Sequence, residues 1–115
     1  MSYEVHLTET FQKSIKALKK KYPRVKHDLL DQINALEKDP TTGDHIPGWH
    51  KEIWKARVAS TDVKKGKRGG FRLIYFWKDG ETEIYLLVVY FKGEKTDITK
   101  KEIDTLLKKL NQTLM

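Results

Sequence analysis

The chain has 115 residues, no cysteine and a formal net charge of +7 at pH 7. Its length predicts one domain spanning residues 1–115, and 38% hydrophobic with 34% charged residues is typical of a folded globular protein. The missing cysteines exclude disulfides and thiolate chemistry, and no apolar run approaches the ~20 residues that span a bilayer. The N-terminal residues have no signal-peptide pattern, so we expect a cytoplasmic protein.

The basic residues are concentrated in two segments. Residues 12–26 carry seven basic residues and no acidic one, and residues 51–72 carry eight basic and two acidic residues. Such segregation favours a polyanionic partner, and nucleic acid is the first candidate. A solvated basic surface without such a partner is the alternative.

Hydrophobic periodicity predicts the elements of the N-terminal half. Alternation over residues 3–7 indicates a short strand, and apolar residues at helical spacing indicate a first helix over residues 11–22. A second helix is expected to begin with Pro23 at its first position and to end at Asp39-Pro40. The short connection predicts an antiparallel helical hairpin.

The C-terminal half, after a loop over residues 41–51, predicts three strands and a last helix. The strands are expected over residues 53–59, 71–77 and 84–91. Asp79-Gly80 is a hairpin signal, and Thr99-Lys100-Lys101-Glu102 is a capping-box pattern that begins a helix ending near residue 114. The order β-α-α-β-β-β-α predicts an α+β fold with an antiparallel sheet, a helical hairpin and a C-terminal helix.

Strand alternation places several cations on one face of the sheet. Lys55 and Arg57 project to the same side, Arg72 can lie beside them on the next strand, and Lys92 follows the last strand. Converging cations repel each other unless an anion lies among them, so this face predicts a phosphate site. Scattered cations on a half-exposed sheet are the alternative, which is weaker for Lys55 and Arg72 because they interrupt apolar strands.

No residue pattern indicates a metal or cofactor site. His6, His27, His45 and His50 lack metal-ligand spacing to one another, and there is no nucleophile triad, phosphate-binding loop or dinucleotide-binding turn. RNA cleavage requires none of these, because the 2′-hydroxyl is an internal nucleophile. We therefore expect no cofactor and no metal.

Lysine and arginine can supply the remaining chemistry of RNA cleavage. A lysine crowded by other cations can transfer a proton, and arginines bind phosphate oxygens in a two-point geometry. Tyr75, Tyr90 or Trp77 could stack on a base, although packing in the core is favoured for each.

An ordered set of motifs covers nearly the whole chain. The motifs are Gly43-Asp44-x-Ile46-x-Gly48, the strand over residues 53–59, the turn Gly66-Lys67-Arg68-Gly69-Gly70 before Arg72, and Lys92-x-Glu94-x-x-Asp97-Ile98-Thr99. In this order they resemble the RelE/ParE toxin superfamily, most closely its HigB-type, RelE-like branch. The resemblance implies a microbial-ribonuclease-like fold and the toxin of a type II toxin–antitoxin system. Such a toxin cleaves mRNA on the ribosome, inhibits translation and is neutralised by a cognate antitoxin.

The resemblance also implies roles for individual residues. The catalytic candidates that would bind the scissile phosphate are Lys55, Arg57, Arg72 and Lys92. The candidates for further RNA contacts are Lys67, Arg68, Lys95 and Tyr90. Two positions depart from RelE itself: Gly93 replaces an arginine, and the C-terminal base-stacking tyrosine has no match in Thr99-Lys100-Lys101.

Two other functions remain open from the sequence. A ParE-like toxin shares the fold but inhibits DNA gyrase by binding it, and fold alone does not separate the two. ParE-type chains lack the concentrated lysines and arginines on the middle strands, which favours the ribonuclease. A catalytically weakened or orphan member that only binds RNA is the other alternative.

Overall fold

A computed structural model describes residues 2–63 and 70–114. Within these residues, three α-helices and a five-stranded sheet form an α+β fold. In chain order the elements are β1 (Glu4–Leu7), α1 (Glu9–Lys19), α2 (Val25–Lys38), a 3₁₀ turn (Pro40–Thr42), β2 (Asp44–His45), β3 (Ile53–Val58), β4 (Phe71–Phe76), β5 (Glu83–Phe91) and α3 (Lys100–Leu114). No helix in the described part of the chain is long and apolar enough to cross a membrane.

The sheet is mixed, whereas the sequence predicted an antiparallel one. The strand order is β1-β5-β4-β3-β2, and the pairs β3–β4 and β4–β5 are antiparallel as predicted. The additional strand β2 also pairs antiparallel with β3. The exception is β1, which pairs with β5 in parallel, from Glu4 opposite Glu83 to Leu7 opposite Leu86. The prediction was wrong for this strand because alternation of apolar residues reports the buried face of a strand and not its direction.

Helices cover both faces of the sheet. One core contains Phe11 of α1 and Leu29 of α2, packed on strand residues such as Leu73. We call the face of the sheet that these two helices cover the helical hairpin side. The other core packs Ile103 of α3 on residues that include Ile74. A register shift between Ile74 and Tyr75 marks a bulge in the β4–β5 pair.

Several features of the N-terminal half differ from the predictions. The first helix spans Glu9–Lys19 rather than residues 11–22. The second helix begins at Val25 rather than at Pro23. The side chain of Tyr22 is buried, and its carbonyl accepts a hydrogen bond from the Val25 amide, so the chain turns here before it becomes helical. The expected loop over residues 41–51 contains β2, which extends the sheet beyond β3.

Candidate functional site

The central strands bring three of the predicted site residues into one row. Arg57 of β3 lies directly opposite Arg72 of β4, and Arg72 lies directly opposite Tyr90 of β5. Adjacent strands are separated by about 4.8 Å, so these three side chains project from the same face of the sheet and are close neighbours. Lys55, two residues before Arg57, shares that face. We call Lys55, Arg57 and Arg72 the cationic row.

The three members of the cationic row differ in exposure. Arg57 is exposed, and the side chain of Lys55 is 30% exposed. Arg72 is only 3% exposed, and one of its guanidinium nitrogens donates to the Phe71 carbonyl oxygen at 3.1 Å. Burial, together with the charge of Arg57, lowers the pKa of Arg72. Arg57 and Lys55 are therefore the accessible cations, and Arg72 adds positive charge from within the protein.

Asp97, which the sequence did not single out as a site residue, contacts the cationic row. Its Oδ1 atom is 3.4 Å from Lys55 Nζ and accepts hydrogen bonds from the Tyr90 hydroxyl at 3.3 Å and the Ile98 amide at 2.8 Å. Burial raises the pKa of Asp97, but the Ile98 amide and the Lys55 charge outweigh it, and the net result is a lowered pKa. Asp97 is thus an ionised carboxylate that holds Lys55 and Tyr90 together. In the sequence, the position of Asp97 within the Lys92–Thr99 motif is the feature that could have identified it as a site residue.

Tyr90 lies opposite Arg72 but presents little surface. It is 7% exposed, and burial, followed by the charge of Asp97, raises its pKa to about 12. The hydroxyl is therefore a donor to Asp97, and the ring offers little area to a stacked base. Tyr75 and Trp77 are 0% and 6% exposed in the core on the helical hairpin side, as favoured from the sequence.

Two of the remaining predicted site residues, Lys92 and Lys95, lie in the segment between β5 and α3. Lys92 is exposed in the turn after β5, and its amide donates to the Gly70 carbonyl oxygen at 3.0 Å. Lys95 Nζ lies 2.5 Å from Glu102 Oε2, so this lysine forms a partly exposed ion pair at the start of α3. Lys67 and Arg68 lie outside the described residues.

The predicted capping box at the start of α3 is confirmed. The Glu102 amide donates to Thr99 Oγ1 at 3.1 Å, and the Thr99 amide donates to Glu102 Oε1 at 2.9 Å. The hydrogen bond from Lys95, followed by the one from the Thr99 amide, lowers the pKa of Glu102 to about 2. The cap and the Lys95 ion pair therefore hold residues 95–99, which include Asp97, against the first turn of α3.

An apolar cavity opens beside Tyr90. It has a volume of about 400 Å³ and lies between β5 and the first turns of α3. Its lining includes Val88, Ile98 and Leu106, with Lys95 among its polar residues. A flat or apolar group could therefore be bound next to an anion held at the cationic row.

The basic segment over residues 12–26 does not join this row. Its residues belong to α1, the following turn and the start of α2, and these helices pack on the other face of the sheet. Side-chain contacts attach the turn to neighbouring loops. Lys21 Nζ lies 3.5 Å from Glu94 Oε2, the Tyr22 hydroxyl donates to Glu94 Oε1 at 3.1 Å, and the Arg24 amide donates to Asp62 Oδ2 at 3.0 Å. The helices that carry most of residues 12–26 therefore lie on the face of the sheet opposite the cationic row.

The sequence pattern indicated no metal site at His6, yet in the structure two carboxylates lie beside its imidazole. Its Nε2 atom lies 3.1 Å from a Glu83 carboxylate oxygen and 4.0 Å from one of Glu4. Glu83 follows His6 by 77 residues, so spacing along the sequence could not reveal the group. The parallel β1–β5 pair creates it.

Comparison with known proteins identifies the fold. No family model matches the sequence. The structure is similar to a chain of the RelBE2 toxin–antitoxin complex from Mycobacterium tuberculosis, with a TM-score of 0.60 and 22% identity, over 79% of this chain and 99% of that chain. It is also similar to an Escherichia coli RelE toxin with two arginine-to-alanine substitutions, in the free state, with a TM-score of 0.56 and 16% identity, over 84% and 90% of the two chains. The chain therefore has the fold of RelE toxins.

Proposed function

We propose that this protein is the toxin of a type II toxin–antitoxin pair and that it cleaves mRNA bound to the ribosome. The observation that carries the proposal is the cationic row, with Arg57 directly opposite Arg72 and Lys55 on the same face. Paired like charges across two strands are destabilising, and a bound phosphate would offset that cost. The RelE fold supports the same conclusion, because one solved neighbour is a toxin–antitoxin complex.

The proposed reaction is an attack by the 2′-hydroxyl on the adjacent phosphate. The bond from phosphorus to the 5′-oxygen breaks, which leaves a 2′,3′-cyclic phosphate on one fragment and a 5′-hydroxyl on the other. Arg57, which is exposed, binds a phosphate oxygen directly, and the buried charge of Arg72 stabilises the additional negative charge of the transition state. No step requires a metal ion.

Lys55 is the proposed donor to the scissile phosphate, and Asp97 positions it. The carboxylate is 3.4 Å from Lys55 Nζ and is itself fixed by Tyr90 and the Ile98 amide. An anchored side chain needs less reorganisation to reach the reactive geometry. Lys92, exposed at the end of β5, and Lys95 would contact the RNA backbone, as would Lys67 and Arg68.

The proposed partners are ribosome-bound mRNA and a cognate antitoxin, in the cytoplasm. An acidic antitoxin segment that covers Arg57 and Lys55 would neutralise the row and associate rapidly through charge complementarity. The Lys92–Thr99 motif supports assignment to the HigB-type branch, although Gly93 means that an arginine of RelE has no counterpart here.

A cell-free translation assay tests the proposal directly. The wild type, Arg57→Ala and Lys16→Ala are added to a reconstituted reaction, and mRNA ends are mapped by primer extension. Lys16 is the matched control because it is exposed on α1, on the helical hairpin side. We expect ribosome-dependent cleavage by the wild type and Lys16→Ala and a strong loss in Arg57→Ala.

The alternatives give different outcomes in the same experiment. A ParE-like inhibitor would leave mRNA intact and would inhibit DNA supercoiling by gyrase in a parallel assay. A catalytically weakened member would bind RNA without new ends. Either result, obtained with folded protein, would contradict the proposed ribonuclease activity.

A further inference from the structure

Three potential metal ligands meet where β1 pairs with β5. The parallel register sets Glu4 opposite Glu83 and His6 opposite Tyr85. The His6 Nε2 atom and one carboxylate oxygen from each of Glu4 and Glu83 all lie within 4.8 Å of one another. Ligands at about 2.0–2.2 Å from a tetrahedral ion are separated by roughly 3.5 Å, a value between the observed 3.1 and 4.0 Å from Nε2. A small side-chain adjustment would therefore place one ion among them.

The imidazole and one of the carboxylates are oriented by neighbouring groups. The His6 ring stacks on Tyr85, with the centroids 4.9 Å apart and the planes at 19°. The second carboxylate oxygen of Glu83 accepts a hydrogen bond from the Thr82 hydroxyl. Such outer contacts fix the direction of metal ligands and strengthen binding.

The charges of the group favour a cation. Two carboxylates face the same imidazole nitrogen. The side chain of Glu83 is 37% exposed and that of Glu4 is 70% exposed, so solvent screens part of the repulsion between them. A divalent ion would relieve the repulsion between Glu4 and Glu83.

We infer that Glu4, His6 and Glu83 form a binding site for a divalent transition-metal ion of the Zn²⁺ class. Imidazole with carboxylates suits Zn²⁺ and its transition-metal neighbours, whereas Mg²⁺ and Ca²⁺ prefer ligand sets made entirely of oxygen. Three protein ligands leave a position for water. Because the ligands come from two strands, the ion joins the N-terminal edge strand to its only neighbour among the described strands.

The ion is structural and not part of the proposed cleavage reaction. Glu83 begins β5, whereas Tyr90 and the cationic row lie near its other end. Seven residues of strand separate the two positions by about 23 Å at roughly 3.3 Å per residue. The inference is therefore independent of the ribonuclease activity, and metal binding does not conflict with metal-free cleavage.

Calorimetric titration of the tag-free, full-length protein with ZnCl₂ at neutral pH tests the site. The variants are His6→Ala and Glu83→Gln, and His27→Ala is the matched control because His27 is an exposed histidine on α2. We expect one Zn²⁺ per chain in the wild type and in His27→Ala, and affinity lower by at least ~10-fold in His6→Ala and Glu83→Gln. Zn²⁺ should also raise the Tm of the wild type but not that of His6→Ala.

Three results would overturn the inference. They are an absence of Zn²⁺ binding by the wild type, unchanged affinity in His6→Ala, and Mg²⁺ binding as tight as that of Zn²⁺. Circular dichroism of each variant checks folding, and Glu4→Gln replaces any variant that does not fold, with the same loss of affinity expected.

Discussion

Arg57 and Arg72 face each other directly across β3 and β4, one exposed and the other 3% exposed. A like-charge pair at directly opposed positions is destabilising in a sheet. Burial and the neighbouring Arg57 both lower the pKa of Arg72, which means that its charged form is destabilised in this environment. A bound anion between the two guanidinium groups would offset this repulsion, which gives a physical reason for the pair.

Removing Arg72 should abolish most of the proposed activity. We expect Arg72→Ala and Lys55→Ala each to lower mRNA cleavage by at least ~100-fold, the scale of losing one electrostatic stabiliser of a transition state. The measurement is the single-turnover cleavage rate on ribosome-bound mRNA, with Lys16→Ala expected to match the wild type. Because Arg72 is buried, its substitution can destabilise the fold, so the Tm of each variant is measured alongside its cleavage rate. Wild-type cleavage by a folded Arg72→Ala protein would remove this residue from the site.

Cleavage should not depend on a metal ion supplied to the protein. We expect the rate to survive EDTA once ribosome integrity is controlled, since the 2′-hydroxyl is the nucleophile and the cationic row supplies the charge. The upstream fragment should end in a 2′,3′-cyclic phosphate or 3′-phosphate, which end-specific ligation can identify. A 3′-hydroxyl end would instead indicate attack by water.

Asp97 should affect turnover more than substrate binding. Asp97→Ala releases Lys55 and Tyr90, and losing a hydrogen bond to a charged group corresponds to about a tenfold fall in kcat. KM should not rise, because the substitution removes a negative charge from the face that binds RNA. Asp97→Asn should restore part of kcat, since its amide oxygen can still accept from Tyr90 and the Ile98 amide. An increase in KM with unchanged kcat would indicate that Asp97 acts in binding only.

Glu102 should make the stability of the protein depend on pH. Its folded-state pKa of about 2 is below the ordinary value near 4.3, so its contribution is fully present above that ordinary value. The contribution is lost as the pH falls through the folded pKa. Urea unfolding of the wild type and Glu102→Gln should therefore differ at neutral pH, by less than ~1 kcal/mol for a half-exposed ion pair. The difference should vanish near pH 2, and a difference that is constant with pH would contradict the assignment.

Association with an acidic antitoxin should be sensitive to salt. If the antitoxin covers the cationic row, the association rate should fall steeply between ~50 and ~500 mM salt, and Arg57→Glu should weaken the complex. Stopped-flow measurement with the purified partner gives the rate. Equal rates at both salt concentrations would indicate docking on an apolar surface away from the row, such as the one that includes the exposed Leu114 at the end of α3.

Much of the fold follows from local patterns in the sequence. The strands that carry Lys55 and Arg72, the hairpin signal at Asp79-Gly80 and the capping box at Thr99 depend on residues close together in the chain. Alternation in a strand has a period of two, so the sequence alone also places Lys55 and Arg57 on one face. These features were predictable because the physical cause and its consequence lie within a few residues.

Only the tertiary structure decided how distant segments meet. Parallel pairing of β1 with β5 brings His6 to Glu83, and the loop before α3 brings Asp97 to Lys55, 42 residues away in the chain. The near-complete burial of Arg72 could not be predicted either, because the residues of its own strand do not indicate which other elements will cover it. Each of these relationships depends on long-range packing, whose free energy is a sum over contacts from several elements and leaves no periodic pattern in the sequence.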